Sequence, residues 1–136
     1  MSQTVSLIRS AELSDMAQYA YAATAPAGAR LIFLAGACPL NLDGSTAGAG
    51  DYAAQATKAM ENLLIALHAA GAELDDVVST RVLVASSRQS DLIEAWTVIR
   101  GAFGDHDAPS TLMGVTVLGY TDQLVEIEAV AAVIDN

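Results

Sequence analysis

Residues 124–134 constrain the fold more than any other part of this chain. The run is rich in valine and isoleucine and holds no glycine or proline, so it reads as a strand. Side chains alternate along a strand, which sends Val125, Ile127, Ala129, Ala131 and Val133 to one face and Glu126, Glu128, Val130, Ala132 and Ile134 to the other. Both sets are largely apolar, so both faces need cover. Helices can cover one. The second face carries two carboxylates, and another copy of the chain is its simplest cover.

Two helices are legible. Asp51 is a suitable N-cap for a helix to about residue 70, closed by Gly71, with Ala56, Met60, Leu63, Leu64, Leu67 and Ala70 at helical spacing and Lys58, Glu61 and Asn62 off that stripe. A second helix starts within 87–90 and runs to about 103, with Leu92, Trp96, Ile99 and Phe103 along one face. Strands are expected at 5–9, 19–23, 31–35, 77–84 and 111–117 as well as 124–134, with loops at 39–50 and 119–123. The first three strands are expected to open one sheet, and the apolar 31–35 to be buried on both faces. The order is βββαβαββ, with a hairpin-like strand pair at each end. That order implies a single α+β domain over 1–136, a mixed sheet with both helices on one face.

A length of 136 residues with 53% hydrophobic content suits one core, and a second domain is not expected. The longest uncharged apolar stretch, 31–40, falls far short of a membrane span, and no secretory signal is readable, so a cytoplasmic protein is expected. The lone Cys38 rules out an internal disulfide and a cysteine-based zinc cage. A formal charge of −10, with the six basic residues scattered singly, argues against nucleic acid as a partner. A mean hydropathy of +0.39 in so small a domain points to self-association.

The chain resembles a known family along nearly its whole length. The resemblance is carried by Tyr19-Ala20-Tyr21-Ala22, Leu31-Ile32-Phe33-Leu34-Ala35-Gly36, Pro39-Leu40, and the helix from Ala56 into Ala69-Ala70-Gly71-Ala72. It continues through Leu74-Asp75-Asp76-Val77-Val78, Phe103-Gly104-Asp105-His106, Thr111-Leu112-Met113-Gly114-Val115 and Val125-Glu126-Ile127-Glu128-Ala129. In order and spacing these segments resemble the Rid family, the reactive intermediate deaminases also called YjgF-like or L-PSP proteins. The resemblance implies a chorismate-mutase-like fold, a homotrimer, and small-molecule clefts between subunits. The implied activity is hydrolysis of reactive enamines and imines, with no metal or bound cofactor.

The family's site carries over in part. Glu126 matches the water-handling glutamate and Tyr19 the tyrosine lining the cleft. Gly36 matches the glycine whose backbone borders the ligand, but the serine usually before it is Ala35, and Trp96 stands at the helix asparagine. Ala108-Pro109-Ser110-Thr111 replaces the Pro-Ala-Arg-Thr-like motif, putting Ser110 where the substrate-anchoring arginine belongs. Leu112 takes a position often held by a cysteine or another small residue. A guanidinium grips a carboxylate bidentately, whereas Ser110 offers one neutral hydrogen bond, so a less acidic ligand is expected.

Each candidate has a plainer reading. Glu126 either activates water or forms a structural carboxylate pair with Glu128 at an interface. Arg81 either supplies the missing cation or salt-bridges Glu128. Cys38 is either a nucleophile or a small buried residue, and Trp96 either core or cleft. Tyr21 and Tyr120 are candidate stacking aromatics, while His68 and His106 show no catalytic pattern. The expected protein is therefore a trimeric hydrolase or deaminase of altered specificity; the alternative is a non-catalytic trimer that binds a ligand or a partner.

Overall fold

The computed structural model describes residues 4–16 and 18–135. Its elements are β1 (Ser6–Ile8), β2 (Ala22–Thr24), β3 (Arg30–Phe33), α1 (Tyr52–Ala69), β4 (Val77–Ala85), α2 (Gln89–Phe103), β5 (Ser110–Val115) and β6 (Val125–Val133), with one 3-10 turn, Leu74–Asp76, before β4. The order is the expected one, and the architecture is α+β. The main sheet runs β3-β6-β4-β5, with β6 antiparallel to β3 and β4 and β5 parallel to β4. Helix α2 makes the crossover that a parallel pair requires.

Three expectations need correction. First, β1 and β2 do not open the main sheet; they form a two-stranded sheet of their own, with Ser6 opposite Thr24. The second strand begins at Ala22 rather than residue 19, because the Ala20 amide donates instead to Asp107 O at 2.7 Å. Second, the C-terminal strands are not a hairpin, since β4 lies between β5 and β6. Third, β3 is buried on one face only: Ile32 is covered, while Leu31 is exposed and Phe33 is 75% exposed. An apolar strand stays wet wherever its own chain places nothing over it.

Asp51 caps α1 as its type predicts, accepting the Ala54 amide at 3.0 Å, and Gly71 turns the chain away at φ +83°. The two helices pack on one side of the sheet. Ala56, Ala59, Met60, Leu63 and Leu67 from α1 and Ala95, Ile99 and Phe103 from α2 meet Val125, Ile127, Ala129, Ala131 and Val133 of β6. Each fully buried valine, leucine or isoleucine there contributes about 1.5–3 kcal/mol, so this face stabilises the domain.

Two irregularities set what faces the other side. In β4, Val77 opposes Ala131 but Ser79 opposes Val130, so one extra residue switches the buried set to Thr80, Val82 and Val84. Arg81 and Leu83 then face outward, opposite Glu128 and Glu126. Beyond β3, Phe33 opposes Val130 and Ala37 opposes Ile127, four steps against three. This bulge returns Ala37 to the core and places Gly36 and Cys38 on the face of Glu126. Among the described residues, no helix is long and apolar enough to cross a membrane.

Candidate functional site

Glu126 projects half-buried from the open side of β6. Gln123, only 4% exposed, donates from Nε2 to Glu126 Oε1 at 3.1 Å and to Val125 O at 3.1 Å, while its own Oε1 accepts the Tyr120 amide. The Cys38 thiol donates to the same Glu126 oxygen at 3.2 Å. No described residue donates to Oε2, which lies over Gly36; a Cβ on Gly36 would sit 2.1 Å from it. Glycine is thus required here by close approach, not by a left-handed turn. Asn62 fixes this wall to α1, donating to Cys38 O at 2.8 Å and Leu40 O at 3.0 Å.

The carboxylate has a chemical effect on its neighbour. Half-burial, with the Glu126 hydrogen bond and charge adding to it, pushes the Cys38 thiol up from 9.0 to about 11. A thiol that stays protonated is a poor nucleophile, which favours the plain reading of Cys38. Iodoacetamide is expected to alkylate it at neutral pH about a hundredfold more slowly than the unfolded chain. Because the folded pKa is the higher one, the stabilisation is complete below pH 9.0 and disappears as pH rises through about 11. Cys38→Ala should flatten that decline in a chemical-denaturation series.

A second wall lies along the edge strand β5. A cavity of about 720 Å³ is lined by Tyr19, Tyr21, Trp96, Ser110, Thr111 and Leu112, with Ser14, Met16, Gln18, Ile93 and Thr97. Tyr19 meets both Tyr21 and Trp96 edge-on, at 6.2 and 6.0 Å between ring centroids. Trp96 therefore lines the space and does not fill it. The segment before β2 is held by Arg100, whose Nε donates to Gln18 O at 2.6 Å, and by Asp107, which pairs with both Arg9 and Arg100.

Sequence candidates thus fall into two groups. Tyr19, Trp96, Ser110, Thr111 and Leu112 come together, as do Glu126 and Gly36, with Ala35 exposed at the bulge. In one chain the groups are apart: β5 and β6 are separated by β4, about 10 Å across the sheet. Arg81 bridges neither group, since its Nη2 lies 2.9 and 3.0 Å from the two Glu128 oxygens. His106 Nε2 is spent on Val77 O at 2.7 Å, and Tyr120 is exposed. Among the described residues, no three His, Cys, Asp or Glu side chains are placed to hold a metal.

Sequence reasoning missed Gln123, which follows no periodic pattern. It also missed Gln55, fully buried, which donates to Gly48 O and Asp122 O and accepts the Leu124 amide, tying the 48–50 loop to the approach to β6. A signal existed for Gln55: it lies four residues before Ala59 and eight before Leu63, inside the apolar stripe.

Residues 10–133 match the family model described as endoribonuclease L-PSP. The chain belongs to the endoribonuclease L-PSP family. Solved structures agree with that assignment. The L-PSP chain is similar to the Rid-family protein YyfB from Yersinia pestis, at 27% identity and a TM-score of 0.87, covering 96% of this chain and 100% of that one. It is similar to Rv2704 of the YjgF/YER057c/UK114 family from Mycobacterium tuberculosis, at 32% identity and a TM-score of 0.64, with the same coverage. Yeast YEO7 is 26% identical, with a TM-score of 0.69 over 96% of this chain and 99% of that one. No curated protein matches the chain.

Proposed function

We propose that this L-PSP protein hydrolyses a carbon–nitrogen double bond in a cleft completed by a neighbouring copy, with Glu126 handling the water. The observation that carries this reading is the state of Glu126: one oxygen is held by Gln123 and Cys38, and the other is left over the Gly36 backbone. A carboxylate anchored by one oxygen is a positioned base at the other. Water bound at Oε2 gives its proton to Glu126 as its oxygen bonds to the imine carbon. The π pair moves to nitrogen, which takes up a proton from solvent. Collapse of the resulting carbinolamine forms the carbonyl as its hydroxyl proton passes to solvent, breaks the carbon–nitrogen bond, and lets ammonia leave with the proton that Glu126 returns. The balance is imine plus water to carbonyl plus ammonia, and an enamine enters after tautomerising to the imine.

The open sheet face supports the oligomer. Leu31 and Phe33 are exposed beside Glu126 and Glu128, an apolar surface with an ion pair in it, and a neighbouring copy laid over it would bring a β5 wall to a Glu126 wall. A homotrimer is the assembly we propose, with Tyr19, Trp96, Ser110, Thr111 and Leu112 on one side of each cleft and Glu126, Gly36 and Ala35 on the other. A nuclease reading is weaker. The chain carries −10, and Arg9, Arg30, Lys58, Arg81 and Arg100 are each in an ion pair with a carboxylate.

The test is ammonia release from imines made in place, aldimines by an amine oxidase and 2-imino acids by an amino-acid oxidase. Acceleration is expected, larger for the uncharged aldimines because Ser110 provides no cation. No acceleration with any imine would overturn the hydrolase reading and leave the non-catalytic trimer, which the uncharged β5 wall favours.

A further inference from the structure

The β5 wall offers ring faces and polar groups that carry no charge. The Trp96 Nε1–H donates to Gln18 Oε1 at 3.3 Å, and the Tyr21 hydroxyl donates to Ser14 O, so the polar tips of both rings are already satisfied. Ile93, Met16 and Leu112 add aliphatic surface. None of the lining residues is charged, and neighbouring guanidinium groups are committed: Arg100 to Gln18 O, Gly104 O and Asp107, Arg9, beside the adjoining hollow, to Asp107, and Arg81, opposite Thr111, to Glu128. One polar group is held differently. Ser110 Oγ accepts from the buried Thr80 hydroxyl at 2.7 Å, so the Ser110 O–H is left to donate into the cavity that it lines.

We infer that this wall selects an uncharged aromatic compound bearing one carbonyl-type acceptor, stacked on the Tyr21 and Trp96 rings with its acceptor on the Ser110 hydroxyl. The inference rests on the cleft proposed above as the location of the substrate, and on nothing about turnover. Aromatic rings gain by edge and offset contact with the Tyr19, Tyr21 and Trp96 cluster. A carboxylate in the same place would lose its hydration against a wall without a free cation, in a protein already carrying −10. As the product of imine hydrolysis is a carbonyl compound, an aryl aldehyde or ketone and its imine fit the same two contacts.

Trp96 is the chain's only tryptophan, so intrinsic fluorescence, excited at the red edge of its band, reports on this wall alone. The assembled protein is titrated with benzamide, with benzoate as the anion of the same shape, and with isobutyramide as the carbonyl without a ring. Benzamide is expected to give a saturable change, benzoate to bind at least about tenfold more weakly, and isobutyramide to give none. Ser110→Ala should weaken benzamide roughly three- to tenfold. Ser110→Arg, which adds a cation to the wall, should reverse the order in favour of benzoate by roughly tenfold. Equal binding of benzoate and benzamide, equal binding of isobutyramide, or no saturable response to benzamide up to its solubility limit overturns the inference. If Ser110→Arg does not fold, the ligand series and Ser110→Ala still decide. Absent hydrolysis with benzamide bound removes only the proposed reaction. Hydrolysis with benzoate bound as tightly as benzamide removes only the ligand class.

Discussion

Glu126→Gln is expected to lower imine hydrolysis by about 10²–10⁴-fold, the contribution of a positioned general base, without changing the fold. The substitution keeps an acceptor oxygen for the Gln123 amide and the Cys38 thiol, so the contacts that hold the side chain survive. What it replaces is Oε2, the oxygen over Gly36, by an amide nitrogen that cannot accept a proton. The rate with the fastest imine, compared with circular dichroism and a denaturation midpoint, separates loss of the base from loss of structure. An undiminished rate in this variant would remove Glu126 from the chemistry and return it to the structural pair with Glu128.

Gly36→Ala should lower the same rate by about a hundredfold, because misplacing a reacting group by an ångström has an effect of that size. The new Cβ would lie 2.1 Å from Glu126 Oε2 and 2.7 Å from its carboxyl carbon. No contact of that length persists, and the carboxylate end of a flexible side chain is what gives way. The backbone at Gly36 is outside the left-handed region, so alanine is accommodated there without conformational strain, and stability should change by no more than about 1 kcal/mol. A combined variant gives the sharper test. If Gly36→Ala acts by moving the base, it should add little once Glu126 is already glutamine, since two changes that disable one unit are not additive. A full second hundredfold loss would mean that Gly36 serves the ligand directly.

Several site features rest on residues that were readable one by one. Glu126 stands out as a carboxylate on an apolar strand, and Ser110 as a missing cation within an otherwise recognisable segment. Their surroundings were not readable. Gln123 is three residues from Glu126 in the chain, yet nothing in its local pattern says that its side chain turns back to hold a carboxylate; the loop before β6 decides that. Cys38 and Glu126 are 88 residues apart and meet because a bulge after β3 shifts the register by one. The three corrected strand expectations have the same origin, since pairing partners and cover are properties of the assembled chain.

The sequence by itself determined the elements, their order and the two-faced character of β6, because periodicity, capping and alternation act over a few neighbouring residues and need no partner. Only the tertiary structure decided that β4 separates β5 from β6, that Glu126 has one tethered oxygen and one to which no described residue donates, and that the Tyr19–Trp96–Ser110 wall stands apart from it within one chain. Those outcomes depend on strand register and on contacts across the chain. A one-residue bulge, invisible to any local pattern, changes which side chains meet.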